Sequence, residues 1–189
     1  KIYVALAADA DEFSTIAKIR AARNLVCRVA DACKAGDAAA RVRCVCPTSF
    51  RMMAKRDAWT NILRTTIACT GAALGGADSI CVLPFTFALG KPDAFARRVA
   101  RNIQIVCQEE SNLGRVTDPA GGSWYVEQLT EELAKKAWDI FQDIEARGGM
   151  AEGLTSGYVQ EMIAKSADAR AKQIACGRYE LTGVSAFPI

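Results

Sequence analysis

The spacing of apolar residues changes several times along the chain, and each change marks an element. Residues 2–8 form a short apolar run rich in strand formers, and Asp9, Asp11 and Glu12 behind it are helix start signals. A helix is predicted over 12–35, with Phe13, Ile16, Ala17, Ile19, Cys27 and Ala30 inward, Lys18, Arg20, Arg23 and Arg28 wet, and Gly36 as its stop. The plan repeats: a strand over 41–46 stopped by Pro47, a polar loop, and a helix over 58–74 ended by Gly75-Gly76. A third strand over 79–83 stops at Pro84, and Pro92 stands where a first helical residue fits, opening a helix to about residue 110.

Three strand-helix units in succession imply parallel strands with helical crossovers, helices packing on one side. The strands are short, bounded by Gly and Pro and apolar on both faces, as buried parallel strands are. After a turn at 118–122, Ser123 is expected to cap a helix to residue 147, with Trp124, Val126, Leu129, Leu133, Ala137, Ile140 and Ile144 inward. Gly148-Gly149 breaks it, further helices are predicted over 151–155, 157–166 and 167–175, and Gly177 precedes a tail over 181–189. We divide the chain into 1–117, the strand-helix units, and 118–189, a helical segment of the same domain.

Composition then narrows the chemistry. The 189 residues are 51% hydrophobic, 24% charged and 7% aromatic, and 24 Lys and Arg against 21 Asp and Glu leave +3, too balanced to predict nucleic-acid or anionic-membrane binding. There is no histidine, which removes Ser-His and Cys-His nucleophile pairs and every imidazole-ligated metal from this chain. No run approaches the roughly 18 apolar residues of a membrane helix and no signal region stands at the start, so a cytoplasmic protein is expected. Lys1 opens directly into an apolar run, so we expect further sequence upstream. The eight cysteines match no secreted staple pattern and are expected to be reduced and mostly buried.

An ordered set of motifs adds a resemblance. Asn61-Ile62-Leu63-Arg64-Thr65-Thr66, Leu74-Gly75-Gly76-Ala77-Asp78-Ser79, Ala88-Leu89-Gly90-Lys91-Pro92, and 98–104 are followed by Gln108-Glu109-Glu110, 118–127, Gly148-Gly149-Met150 and Gly183-Val184. The set runs through essentially the whole chain and resembles the acyl-CoA-binding barrel of adenosylcobalamin-dependent methylmalonyl-CoA mutases. The fold class implied is α/β, a partial (β/α)₈ TIM-type barrel of about three parallel βα units followed by a C-terminal helical segment. The first barrel strands and the separate cobalamin-binding domain lie outside the resemblance.

The departures from the family pattern carry the functional reading. Catalytic chains have Arg-Thr-His-Cys-Gln-Thr-Ser where this chain has Arg43-Cys44-Val45-Cys46-Pro47-Thr48-Ser49, so Val45 replaces the histidine and Pro47 the glutamine. Gln-Ser-Leu-His-Thr-Asn becomes Asp78-Ser79-Ile80-Cys81-Val82-Leu83, and the corrin-side glutamate becomes Phe87, beside Ala88. Val45, Pro47, Asp78, Cys81, Phe87 and Ala88 are thus degenerate corrin- or substrate-facing positions, no catalytic residue is assigned, and an apolar plug is expected in place of a polar pocket. Lys1 and Arg43 align with basic CoA contacts and are degenerate acyl-CoA contacts. The resemblance implies a small subunit with a non-catalytic role beside a catalytic large subunit that binds adenosylcobalamin; no cofactor is expected in this chain. Three strands cannot close a barrel of eight, so self-association or a longer polypeptide is expected. The alternatives are a degenerate acyl-CoA-binding regulatory module and part of a mutase for another acyl-CoA.

Other candidates are read as structural. Cys44 and Cys46 share one strand face, which suggests a redox pair or two metal ligands, but a structural metal needs about four ligands and buried thiols are the plainer reading. Gly75-Gly76 is a helix stop, whereas 118–123 lies before a helix amino end, where an anion fits. Arg51, Lys55 and Arg56, near Trp59, read as a solvated loop or a contact to a partner chain, and Glu109-Glu110 and Glu131-Glu132 as wet surface.

Overall fold

The computed structural model describes residues 3–37 and 42–188. Three parallel strands, β1 (Tyr3–Ala5), β2 (Arg43–Pro47) and β3 (Ser79–Cys81), lie in the order β1-β2-β3. Tyr3 is opposite Arg43, Ala5 opposite Val45, Val45 opposite Ser79 and Pro47 opposite Cys81. Since side chains alternate along a strand, these residues share one face, and Val4, Cys44, Cys46 and Ile80 share the other. Helices α1 (Glu12–Ala32) and α2 (Asn61–Leu74) cover the second face, with Ile19, Cys44, Cys46, Ala68 and Ala72 in the core. A smaller cluster of Cys69, Val82, Ala100 and Cys107 lies under α3 (Ala94–Ile105).

The expectation that both strand faces are buried needs correction. Tyr3, Ala5, Arg43, Ser79 and Cys81 are exposed and Val45 and Pro47 half-buried. Parallel strands joined by crossovers of one hand place successive helices on the same side, so the other face is left open.

Strand and helix limits moved for local reasons. Pro47 was expected to stop β2 but is its last residue, because its carbonyl accepts from Ala8 N at 2.8 Å and no N–H is needed there. β3 ends at Cys81 rather than 83, where Leu83 N turns aside to the Thr48 hydroxyl at 2.9 Å. Asp93, not Pro92, opens α3: its carboxylate accepts from Ala96 N at 2.7 Å. The predicted continuation to 110 is a π-turn, Val106–Glu110, and residues 58–60 form a 3₁₀ turn that runs into α2.

The inner side of α1 holds one surprise. Arg20, expected in water, has a side chain only 14% exposed and donates to Asp118 Oδ1 at 2.9 Å and Glu127 Oε1 at 2.8 Å. These two carboxylates hold the guanidinium far above its usual range, through hydrogen bonds first. Phe13 and Cys27, read as inward, are exposed; Phe13 meets the Tyr125 ring edge-on at 5.3 Å.

Residues 1–134 and 135–189 are two compact units, and α4 (Trp124–Ala146) contributes to each. Trp124, read as inward, is 92% exposed. It stands two residues before buried Val126, which on a helix is the opposite side. In the second unit α5 (Gly149–Thr155) brings Gly153 against Val159, where an added Cβ would lie 3.2 Å from Cγ2. The two helices predicted over 157–166 and 167–175 are one, α6 (Tyr158–Ala175). The Tyr158 hydroxyl donates to Asp143, and Arg147 both donates to Asp143 at 3.2 Å and lies over the Tyr158 ring at 4.1 Å.

The contact of α1 with α2 sets the depth of the first unit. A Cβ on Gly75 would lie 3.1 Å from Ile16 Cα and 3.2 Å from Ile16 O, and one on Gly71 would lie 3.3 Å from Glu12 O. Gly75 is therefore a packing residue as well as a helix stop. Gly75→Ala should lower unfolding stability by about 1–3 kcal/mol through backbone displacement; an unchanged urea midpoint would contradict the close approach.

Candidate functional site

The carboxyl ends of barrel strands are where a site is expected. The register sets Pro47 beside Cys81 there, with Val45 two residues back on the same open face, so three of the positions singled out in the sequence come together. Phe87 and Ala88 lie in the short turn Phe87–Leu89 after β3, and the Phe87 ring meets Phe50 edge-on at 5.8 Å. On its open face this end of the sheet presents hydrocarbon, a thiol and a proline ring, while Asp9, Thr48 and Ser49 lie buried beside it and Arg51 reaches Asp9 at 2.9 Å.

Asn61 organises the loops over this end, a role its appearance in a motif did not disclose. It is fully buried; its amide donates to Ala54 O at 2.8 Å and Phe85 O at 2.9 Å, and its carbonyl accepts from Ala54 N at 3.0 Å and Arg64 at 2.8 Å. One side chain thereby ties the loop after β2 to the loop after β3. The sequence put Asn61 inside the helix predicted over 58–74, where nothing marked its side chain as a tie between loops.

Asp78 does not join Val45, Pro47 and Cys81. It precedes β3 at the amino end, where it accepts from Arg43 at 2.9 Å, Arg23 at 2.6 Å and Cys44 N at 2.8 Å. Burial pushes its carboxyl up, but the donations from Cys44 N, Arg43 and Arg23 outweigh that and hold it below the usual carboxylate range. Arg43 is exposed on the open face with its guanidinium engaged by this carboxylate. Lys1 lies outside the described residues. Two recesses, of about 360 Å³ beside Val4, Arg23 and Cys44 and about 330 Å³ beside Asp78, Ser79 and Cys107, also open near the amino ends.

The remaining candidates resolve individually. Cys44 and Cys46 thiols lie 3.7 Å apart in the core, and burial, then the Cys44 neighbour, pushes the Cys46 thiol up to about 12. Burial, then Cys107, likewise raises Cys69 to about 12. Four cysteines are buried as expected, but Cys27, Cys33, Cys81 and Cys176 are exposed. Just before α4, Gly122 N donates to the chain's own Glu127 carboxylate at 3.0 Å. Arg51 pairs with Asp9 at 2.9 Å, while Lys55 and Arg56 are exposed. Among the described residues no group of three or more potential ligands is placed to hold a metal, and no helix is long and apolar enough to cross a membrane.

Comparison with known proteins bears on this arrangement directly. Residues 1–188 match the methylmalonyl-CoA mutase family. The chain belongs to that family. It is 55% identical to a methylmalonyl-CoA mutase small subunit of Streptomyces virginiae over 183 residues, covering 97% of this chain and 30% of that protein. It is 44% identical to the small subunit of Propionibacterium freudenreichii subsp. shermanii over 180 residues, covering 95% and 28%. A methylmalonyl-CoA mutase of Escherichia coli (strain K12) is 37% identical over 180 residues, covering 95% and 25%. The chain thus spans about 30% of the length of the small subunits it matches.

Mutases of this family use a corrin cofactor, and the residues gathered here do not suit one. Val45, Pro47, Cys81, Phe87 and Ala88 supply no imidazole, amide or carboxylate, and Asp78 is held by Arg23 and Arg43 at the other end of the strands.

Three measurements check the site. Asn61→Leu strands the polar groups of Ala54 and Phe85 without partners and should cost about 2–4 kcal/mol of unfolding free energy; a loss below half a kcal/mol would contradict the latch. The raised thiols bind their protons more tightly folded than unfolded. Their contribution is therefore fully present below the ordinary value of 9.0 and is lost as pH rises toward about 12. Urea midpoints should fall over that window, and a thiol reagent should modify the four exposed cysteines natively and all eight after unfolding.

Proposed function

We propose that this chain is the later barrel part of a methylmalonyl-CoA mutase small subunit, a structural and non-catalytic partner of a catalytic large subunit in a cytoplasmic heterodimer. The large subunit, in this reading, binds adenosylcobalamin and interconverts methylmalonyl-CoA and succinyl-CoA. The observation that carries the reading is the grouping of Val45, Pro47 and Cys81 at the carboxyl end of the open strand face. A thioester or a corrin amide needs hydrogen-bond donors and acceptors there, and a proton carrier near neutral pH is needed for acid-base work. Neither an aliphatic side chain nor a proline ring supplies these, and a lone thiol is a weak donor.

Arg43 supports a second reading, a regulatory module that retains acyl-CoA. It lies on the same open face as Val45 and Pro47 and is exposed, although a phosphate there would compete with Asp78 for the guanidinium.

The test is to assay isomerisation by this chain alone and together with the large subunit. The chain alone should give no turnover, and the large subunit should be more stable and more active in its company. Turnover by this chain alone would overturn the proposal. Calorimetric titration with CoA should give no saturable heat; binding that Arg43→Ala weakens at least tenfold would establish the regulatory reading instead.

A further inference from the structure

Two guanidiniums converge on the Asp78 carboxylate. Arg43 Nη1 donates to Oδ1 at 2.9 Å, Arg23 Nη2 to Oδ2 at 2.6 Å, and the Cys44 amide to Oδ2 at 2.8 Å. The donors come from the open strand face, from α1 and from the backbone of β2, and both carboxylate oxygens are used. The other ion pairs at the ends of α1 and β2 are built differently: Arg20 is one cation between two carboxylates, and Arg51 meets Asp9 one to one.

The donors are held in place by more than Asp78. Gly76 O accepts from Arg23 Nη2 at 2.6 Å and from its Nε at 3.2 Å, so the guanidinium has a second anchor. Asp78 N donates to Cys44 O at 2.9 Å, so a backbone bond already joins the start of β3 to β2. What the carboxylate adds is the filling of a space that donors surround.

The charges within the cluster do not balance. One carboxylate faces two permanently charged guanidiniums, and a positive charge is left over. Asp37 borders the recess that Arg23 also borders, but it forms no ion pair among the described residues. Arg43 is 63% exposed and Arg23 41%, against 21% for Asp78, so both cations are open to solvent on their outer sides. Two guanidiniums and a backbone N–H are a donor set that recognises phosphate, whose charges and oxygens match it better than a single carboxylate does.

We infer that Asp78 is a resident anion: the chain's own carboxylate fills a site that Arg23, Arg43 and the Cys44 amide would otherwise offer to a phosphate group. The contact is autoinhibitory. An incoming phosphate must displace a group tethered beside its donors, and a tethered group competes at high effective concentration. The inference stands apart from the small-subunit reading, and it supplies the physical reason for Arg43 being closed to a phosphorylated ligand.

The experiment titrates the full chain with inorganic pyrophosphate by calorimetry, with sodium chloride at equal ionic strength to account for screening. Asp78→Ala removes the resident anion and should bind pyrophosphate at least tenfold tighter than the unsubstituted chain. Adding Arg43→Ala should abolish the gain. Asp78→Asn removes the charge but keeps an oxygen that can accept from the Cys44 amide, and it decides the matter where Asp78→Ala does not fold in chloride. Inorganic phosphate should raise the thermal midpoint of the deciding variant by more than that of the unsubstituted chain, which allows for the stabilisation that excluded anions give any protein. A folded variant with no gain, or a gain that survives Arg43→Ala, overturns the inference and leaves the small-subunit reading untouched. Failure of both variants to fold even in phosphate also overturns it, because an anion that fits the site would restore the fold. Equal affinity of the unsubstituted chain and the variant overturns it as well, since the carboxylate then blocks nothing. Turnover by this chain alone would instead sink the small-subunit reading and leave this inference standing.

Discussion

The first unit depends on hiding one face of a three-stranded parallel sheet. β2 alternates so that Cys44 and Cys46 turn inward while Arg43, Val45 and Pro47 turn outward, and parallel pairing extends that division to Tyr3, Ala5, Ser79 and Cys81. Small inward side chains let α1 and α2 sit close above the strands, and Gly71 and Gly75 let the two helices approach each other until backbone meets backbone. Burial, of Cys46 on the helix-facing side of the sheet and of Cys69 of α2 under α3, also keeps both thiols protonated, which makes them packing groups rather than nucleophiles.

That same division separates two chemical neighbourhoods along the sheet. At the carboxyl ends, Val45, Pro47 and Cys81 meet on the open face with Phe87 and Phe50 beyond them. At the amino ends, Asp78 draws Arg23, Arg43 and the Cys44 amide into one cluster. The ion pairs of Asp78 thus lie at the end of the strands opposite to where barrel catalysis takes place, while Asp9 with Arg51 and the Asn61 bonds lie at the carboxyl end. What the carboxyl-end loops retain is architecture: Asn61 bonds three backbone groups of the two loops and so holds them against each other around an apolar centre.

Much of this was legible from one dimension. The alternation of short apolar runs with amphipathic stretches predicted the three described strands, the two crossover helices and the helix after β3, and the ordered motifs disclosed the family. Errors fell where a side chain or a backbone group found a partner distant in sequence. Leu83 was given to a strand but its amide bonds Thr48, and Arg20 was given to water but bonds Asp118 and Glu127, 98 and 107 residues further on. Trp124 was assigned inward on hydrophobicity alone, and its phase relative to Val126 sets it outward.

The sequence by itself determined that the chain has no imidazole, that its strands run parallel between helices, and that the second and third strands carry Val45, Pro47 and Cys81. Residue identity and local periodicity are enough for those conclusions. Only the tertiary structure decided that these three positions are neighbours and that Asp78 lies away from them with Arg43. Each of those facts depends on strand register and on which face a crossover covers, and both are set by contacts between residues tens of positions apart.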